Sequence, residues 1–155
     1  MLRSEISGDL TEKAFEFFYW FSRFEFALKN NSYLKHSTPS SVAMPGWKKF
    51  SEKWHGKYEP QKGAIALLAK PPQQELVGAS ELEWHPIRFD TNISDLEKVT
   101  VLLRAVRNNL FHGGKHGLKD WDDPERITYL LDAGIDTLNE LAILASIEND
   151  FKRKY

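Results

Sequence analysis

The chain has no cysteine among its 155 residues. Disulfide staples, a thiolate nucleophile and a thiolate zinc site are therefore excluded, and the composition is compatible with a reducing compartment. Nothing approaches the ~18 consecutive apolar residues that a membrane-spanning helix needs, so no membrane partner is expected. The opening MLRSEISGDLTEK lacks the apolar core and small-residue cleavage site of a secretion signal, which leaves a cytoplasmic location as the expectation. Charge of one sign is also missing: 21 basic and 22 acidic side chains give a net charge of −1. A chain of this length fits one domain, 1–155, and can build a core without metal or disulfide support.

What the chain has in excess is aromatic side chains, 13% of the total and concentrated near the start. A first helix is predicted from about Thr11 to Asn30, capped by Asp9 or Thr11. Its core, AFEFFYWFSRFEFALK, is apolar on nearly every side, so it must be buried on more than one face. Dimerisation would achieve that, and so would wrapping by the loops that follow; both remain open.

The segment 31–93 reads as loop-rich with short helices. Pro39, Pro45 and Gly46 break HSTPSSVAMPG. In GWKKFSEKWHGKY, Trp47, Phe50, Trp54 and Tyr58 fall at helical spacing among Lys48, Lys49, Lys53 and Lys57. Such a stripe is either core with solvated lysines behind it or a surface that stacks and charge-pairs with RNA. GAIALLAK is a short buried helix or turn stopped by Pro71 and Pro72, and ELEWHPIRF is a strand or an extended loop.

Ser94 followed by Glu97 makes a capping box, and Val99, Leu102, Leu103, Val106 and Leu110 then form one apolar stripe. Opposite it lie Arg104, Arg107, Asn108, Phe111 and His112, with Gly113 and Gly114 expected as the C-terminal cap. A last helix opens with Asp123 as cap and Pro124 in first position and is expected to reach about Asn149. Its stripe is Ile127, Leu130, Leu131, Ile135, Leu138, Leu141, Ala142 and Ala145. The expected class is all-α.

Charge is unevenly distributed along these two helices. Lys98 to Lys119 carries five bases and no acid, whereas Asp120 to Asp150 carries nine acids and the single base Arg126. Two solvated faces that partly pair with each other would explain this. In bland terms, a histidine in a last helical turn complements the macrodipole, and an arginine on a polar face is solvated. In chemical terms, histidine is a general acid or base near neutral pH, and an arginine fork holds a phosphate and stabilises charge building on it. Together they suffice for metal-free RNA cleavage, because the 2′-hydroxyl is its own nucleophile. Arg107 and His112 are five residues apart, roughly 140° around an ideal helix, so one copy converges them poorly. Two copies about a two-fold axis could line a shared cleft. A metal site on His112, His116 and Asp120 is a weaker possibility, interrupted by Gly113, Gly114 and Gly117.

RNNLFHGGK, an arginine followed by asparagine with histidine five residues on, resembles the signature of the HEPN superfamily (higher eukaryote and prokaryote nucleotide-binding domains). FSRFEFALKN, with Glu25 after an aromatic stretch, is similar to that family's first helix. The likeness covers the two ends of the chain and not 31–93. It implies a HEPN-like four- to five-helix bundle with a middle insertion, assembled as a homodimer with a composite active site. It further implies a metal-independent endoribonuclease of the toxin or phage-defence kind that needs no cofactor and leaves a 2′,3′-cyclic phosphate. Arg107 and His112 would be the catalytic pair, with Asn108 in support. Arg104 and Lys115, from the same basic stretch, are expected RNA phosphate contacts. Some toxins of this family carry, two residues after the histidine, a tyrosine that an antitoxin modifies; here Gly114 stands there, so any protein antitoxin or regulator would act otherwise. The alternatives are a catalytically inert RNA- or nucleotide-binding domain or dimeric scaffold, and a helical interaction module without chemistry.

Overall fold

The computed structural model describes residues 7–111 and 123–153. Its elements, in chain order, are α1 (Gly8–Asn30), α2 (Trp47–Trp54) with a 3-10 turn at His55–Lys57, α3 (Lys62–Ala69), β1 (Gln73–Val77), β2 (Leu82–Pro86), α4 (Asp95–Phe111), α5 (Pro124–Leu144) and α6 (Glu148–Lys152).

α1 starts earlier than its sequence suggests, because Ser7 rather than Asp9 or Thr11 is the cap and accepts from the Leu10 N–H at 3.1 Å. Its aromatic side chains divide by face. Phe17, Phe21 and Phe24 are buried, whereas Phe15, Phe18 and Tyr19 remain exposed. α5 and α6 pack on α1, and the Trp47 ring of α2 closes over Phe21 and Phe24. Wrapping by later elements therefore buries most of the aromatic helix, but one strip stays uncovered.

α1 and α5 approach closely at Gly134, where a Cβ would sit 2.5 Å from the Phe17 ring. α5 also carries α3. A Cβ on Gly63 would meet the α5 backbone at Thr137 N, 2.6 Å away. Glu140 reaches from α5 to cap α3, accepting from the backbone N–H of Gly63 at 2.7 Å and of Ala64 at 3.3 Å. Burial drives the Glu140 carboxyl above its ordinary value, and those two donors only partly oppose it. Burial likewise pushes the Tyr58 phenol up, with the Glu140 charge adding to the effect.

The capping box at the start of α4 forms as its spacing predicts: Ser94 Oγ accepts from Glu97 N at 3.3 Å, and Glu97 Oε2 accepts from Ser94 N at 3.3 Å. Leu96, Val99, Leu102, Leu103 and Val106 are all fully buried. α2 and α3 pack against α4. Between α2 and α4 the Thr100 hydroxyl donates to Glu97 O, so Ser51 must be the donor in the 3.4 Å contact with Thr100.

Two further expectations are corrected. The class is helical but not purely all-α, because β1 and β2 form an antiparallel hairpin with Gln73 opposite Pro86 and Val77 opposite Leu82. An isolated two-stranded hairpin is marginal. This one is held to α4 by Asn109, whose Nδ2 donates to Gln73 O at 2.8 Å. At its foot Arg126 donates to the carbonyls of Lys70 and Pro71 at 2.8 and 2.9 Å. The last helix also stops short of Asn149. Ser146 takes φ 55°, its N–H bonds Ile143 O and the Ile147 N–H bonds Ala142 O, both at 3.0 Å. This left-handed cap ends α5 at Leu144 and turns the chain into α6. There Arg23 donates to the carbonyls of Asp150 and Phe151. Asn31 donates to the Asp150 carboxylate at 2.8 Å. The amides of Asn30 and Asn31 hold that carboxyl below its usual range.

Candidate nucleic-acid interface

The outer face of α4 follows from the inner one. Once the leucine–valine stripe is buried, positions 104, 107, 108 and 111 recur at three- and four-residue spacing on the far side. Arg104 and Asn108 are exposed and Arg107 is half-buried. Arg107 Nη1 donates to Asn108 Oδ1 at 3.0 Å, and its guanidinium lies 5.5 Å from the centre of the Phe111 ring. The guanidinium is thus held on two sides by its own helix. Among the described residues nothing else engages the guanidinium, and a free donor fork is what phosphate binding requires.

These residues line a cavity of about 660 Å³. Arg104, Arg107 and Asn108 form one wall, and Lys35, Lys48 and Lys49 contribute from the segment before and within α2. The carboxylates in the lining are Glu25 and Glu52. Both are engaged: Glu25 Oε1 accepts from Trp47 Nε1 at 3.0 Å, and Glu52 lies 3.7 Å from Lys48. Five cations against two occupied carboxylates leave the cavity positive, which favours an anionic ligand.

Chain geometry explains how distant lysines arrive here. The segment after α1 folds back on itself, with Lys35 N donating to Met44 O at 2.9 Å and Gly46 N to Tyr33 O at 2.7 Å. Gly46 has no room for a side chain, since a Cβ would lie 2.7 Å from the Leu34 carbonyl carbon. That close approach places Lys35 beside the start of α2. Trp47 and Phe50 are buried, so the lysines at 48 and 49 face outward. The aromatic stripe of α2 packs on the core, while Lys48 and Lys49 line the cavity.

The acidic α5 does not neutralise the α4 arginines. Among the described residues none of its carboxylates is ion-paired with them: Asp132 pairs with Lys13 at 2.8 Å, Asp136 with Lys62 at 3.2 Å, and Glu140 caps α3. Lys98 pairs within its own helix with Asp95 at 2.8 Å.

Arg104, Arg107 and Asn108 are therefore brought together as expected. His112 and Lys115 lie outside the described residues, as do Gly113, Gly114, His116 and Asp120. Sequence reasoning did not assign Lys35 to the site. Lys48 and Lys49 stand out in the sequence as part of a basic run, but no local pattern joins them to α4. Only the basic run around α2 carried any signal.

Beyond the cavity, Phe18 of α1 packs on Phe111 with ring centres 5.2 Å apart. Phe111 is 52% exposed and Phe15 is 67% exposed, so an uncovered aromatic strip adjoins Arg107. Among the described residues no helix is long and apolar enough to cross a membrane. No family model matches the chain, and neither a curated protein nor a solved structure matches it.

Proposed function

We propose that the protein is a metal-independent endoribonuclease of HEPN type, acting as a homodimer on single-stranded RNA. The observation that carries this reading is the Arg107–Asn108 pair at the end of α4, opening onto a positively charged cavity. In the proposed reaction His112 accepts the proton of the 2′-hydroxyl, whose oxygen attacks the adjacent phosphorus. The bond from phosphorus to the 5′-oxygen breaks, and a protonated histidine returns a proton to that leaving oxygen. Arg107 stabilises the charge that accumulates on the phosphoryl oxygens. The Arg107–Asn108 bond supports a role for Asn108 in fixing the guanidinium. Arg104 and Lys115 hold neighbouring phosphates. The products are a 2′,3′-cyclic phosphate and a 5′-hydroxyl.

The uncovered aromatic strip of Phe15, Phe18 and Phe111 supports the dimer. Its position beside Arg107 suits a composite site, since dimerisation through it would bring two Arg107 side chains near one cleft. A role as a toxin or phage-defence effector, restrained by a protein antitoxin or regulator, is the biological form of this proposal.

End-labelled RNA incubated in EDTA tests the reaction. The wild type is expected to cleave RNA and spare DNA, which lacks the attacking hydroxyl. His112→Ala is expected to be nearly silent, and Arg107→Ala to be strongly impaired. Cleavage that EDTA abolishes, or equal cutting of DNA, sinks the mechanism. Tight RNA binding with no turnover would favour the inert binding protein. Phe18→Glu is expected to convert dimer to monomer by light scattering and to lose activity in the same step.

A further inference from the structure

A second cavity, about 370 Å³, lies on the other side of the Arg104–Asn108 ridge. Arg104 and Asn108 line both cavities, so the two are neighbours across one line of side chains. The second is walled by the hairpin through Gln74, Glu75 and Trp84, with Ile87 beyond them. Its volume falls within the ~300–1,000 Å³ of typical small-ligand sites. Its chemistry differs from that of the lysine-lined cavity. It offers one cation, Arg104, on the shared ridge, one carboxylate, Glu75, and an indole face.

The register explains the pairing of indole and carboxylate. Glu75 and Trp84 are directly opposed across the two strands, so both side chains leave the hairpin on the same face. Trp84 is half-buried and packed against the core. Among the described residues neither the Glu75 carboxylate nor the Trp84 indole N–H has a hydrogen-bonding partner. The hairpin is held in place against α4 by the Asn109–Gln73 bond, so the wall is positioned before any ligand arrives.

A carboxylate beside an RNA track is costly if a phosphate is its neighbour and useful if a neutral donor is. Aromatic faces and free hydrogen-bonding groups are what single-stranded RNA readers present to an unstacked base. Among the four bases, guanine places two adjacent N–H donors, at N1 and N2, on its Watson–Crick edge, which match the two oxygens of a carboxylate. Adenine and cytosine set an acceptor nitrogen beside their amino group, and uracil flanks its N–H with two carbonyls. We infer that the Trp84–Glu75 cavity is a base-specificity pocket that takes a guanine of single-stranded RNA, next to the phosphate held on the Arg104–Arg107 ridge. This rests on the reading of the charged cavity as an RNA track. It assigns the hairpin, in the segment without family likeness, as the element that chooses where the RNA is held.

Binding, not cleavage, tests the pocket. Fluorescein-labelled 2′-O-methyl octamers of uridine, unmodified or with one central guanosine, adenosine or cytidine, cannot be cut by 2′-hydroxyl attack. Titrated by anisotropy against the full chain, the guanosine octamer is expected to bind about tenfold more tightly than the other three. Glu75→Gln should reduce that preference below about threefold without weakening the uridine octamer, since removing a negative charge beside the RNA can only favour a polyanion. Trp84→Ala should weaken the guanosine octamer by roughly fivefold to a hundredfold, the range of a lost base–aromatic stack. Because Trp84 also touches the core, Glu75→Gln is the deciding variant and its fold is checked by circular dichroism.

Equal affinity of the wild type for all four octamers overturns the inference, as does an undiminished guanosine preference in Glu75→Gln. The two proposals fail separately. A protein that prefers guanosine but never cleaves RNA keeps the pocket and loses the ribonuclease, and one that cleaves without base preference does the opposite.

Discussion

The two faces of α4 obey different rules. On the inner face Leu96, Val99, Leu102, Leu103 and Val106 are sealed between α2, α3 and α5, and each is replaceable only by something of its own size and polarity. On the outer face Arg104, Asn108 and Phe111 are exposed and Arg107 is half-buried, and none of them belongs to the core. Packing demands nothing specific there. An arginine held by an asparagine and an aromatic ring, facing three lysines from elsewhere in the chain, therefore calls for an explanation that packing does not supply. Residues whose identity stability does not require are where chemistry is most economically placed.

That contrast makes opposite predictions for substitutions a few residues apart. The largest effect is expected on the outer face: Arg107→Ala should lower RNA cleavage by about a hundred- to a thousandfold, the usual loss for removing a donor to a developing oxyanion. Its thermal midpoint should stay at the wild-type value in the same preparation, and a matching loss of stability would merge the two faces into one. Leu103→Ala should do the reverse, costing about 2–5 kcal/mol in urea unfolding. Cleavage by its folded fraction should remain near normal.

Smaller effects separate binding from chemistry within the outer face. Replacing Lys48 and Lys49 together with glutamine should weaken RNA binding. If each holds one phosphate, the slope of log affinity against log salt should flatten by about 1.4, at ~0.7 per contact for a single strand. An unchanged slope would remove α2 from the interface.

The smallest expected effect lies away from the site, at the α3–α5 junction. Burial raises the Glu140 carboxyl in the folded state, so the fold binds its proton more tightly than the unfolded chain does. Stability from this group is fully present below the ordinary value of 4.5 and declines as pH rises through the raised folded value. Glu140→Gln should flatten the fall in stability over that acidic window, read from thermal midpoints at successive pH values. Cleavage should not respond.

Much of this could be read from local pattern. The capping box at Ser94 and Glu97, the buried stripe of α4 and the Asp123–Pro124 start of α5 are set by residues within a few positions of one another, and all three stand as expected. The misses have separate physical causes. The stop of α5 uses Ser146 in a left-handed conformation, where the usual signal is glycine. The hairpin was obscured because QQELV has no clear alternation, and its strands depend on a tether from Asn109 far along the chain. The cap of α1 was misplaced by two residues or more because Ser7, Asp9 and Thr11 are all competent caps.

The sequence by itself determined a helical chain, the polarity of α4 and the presence of Arg104, Arg107 and Asn108 on its outer face, because helical periodicity and capping are short-range. Only the tertiary structure decided that Lys35, Lys48 and Lys49 complete a positive cavity around those arginines, and that Glu75 and Trp84 face a second one across the ridge. It decided too that Asp132 and Asp136 of α5 are spent on Lys13 and Lys62 rather than on the α4 arginines. Those outcomes hang on the loop closed at Gly46 and on the docking of a hairpin, both of which join residues remote in the chain and leave no periodic trace.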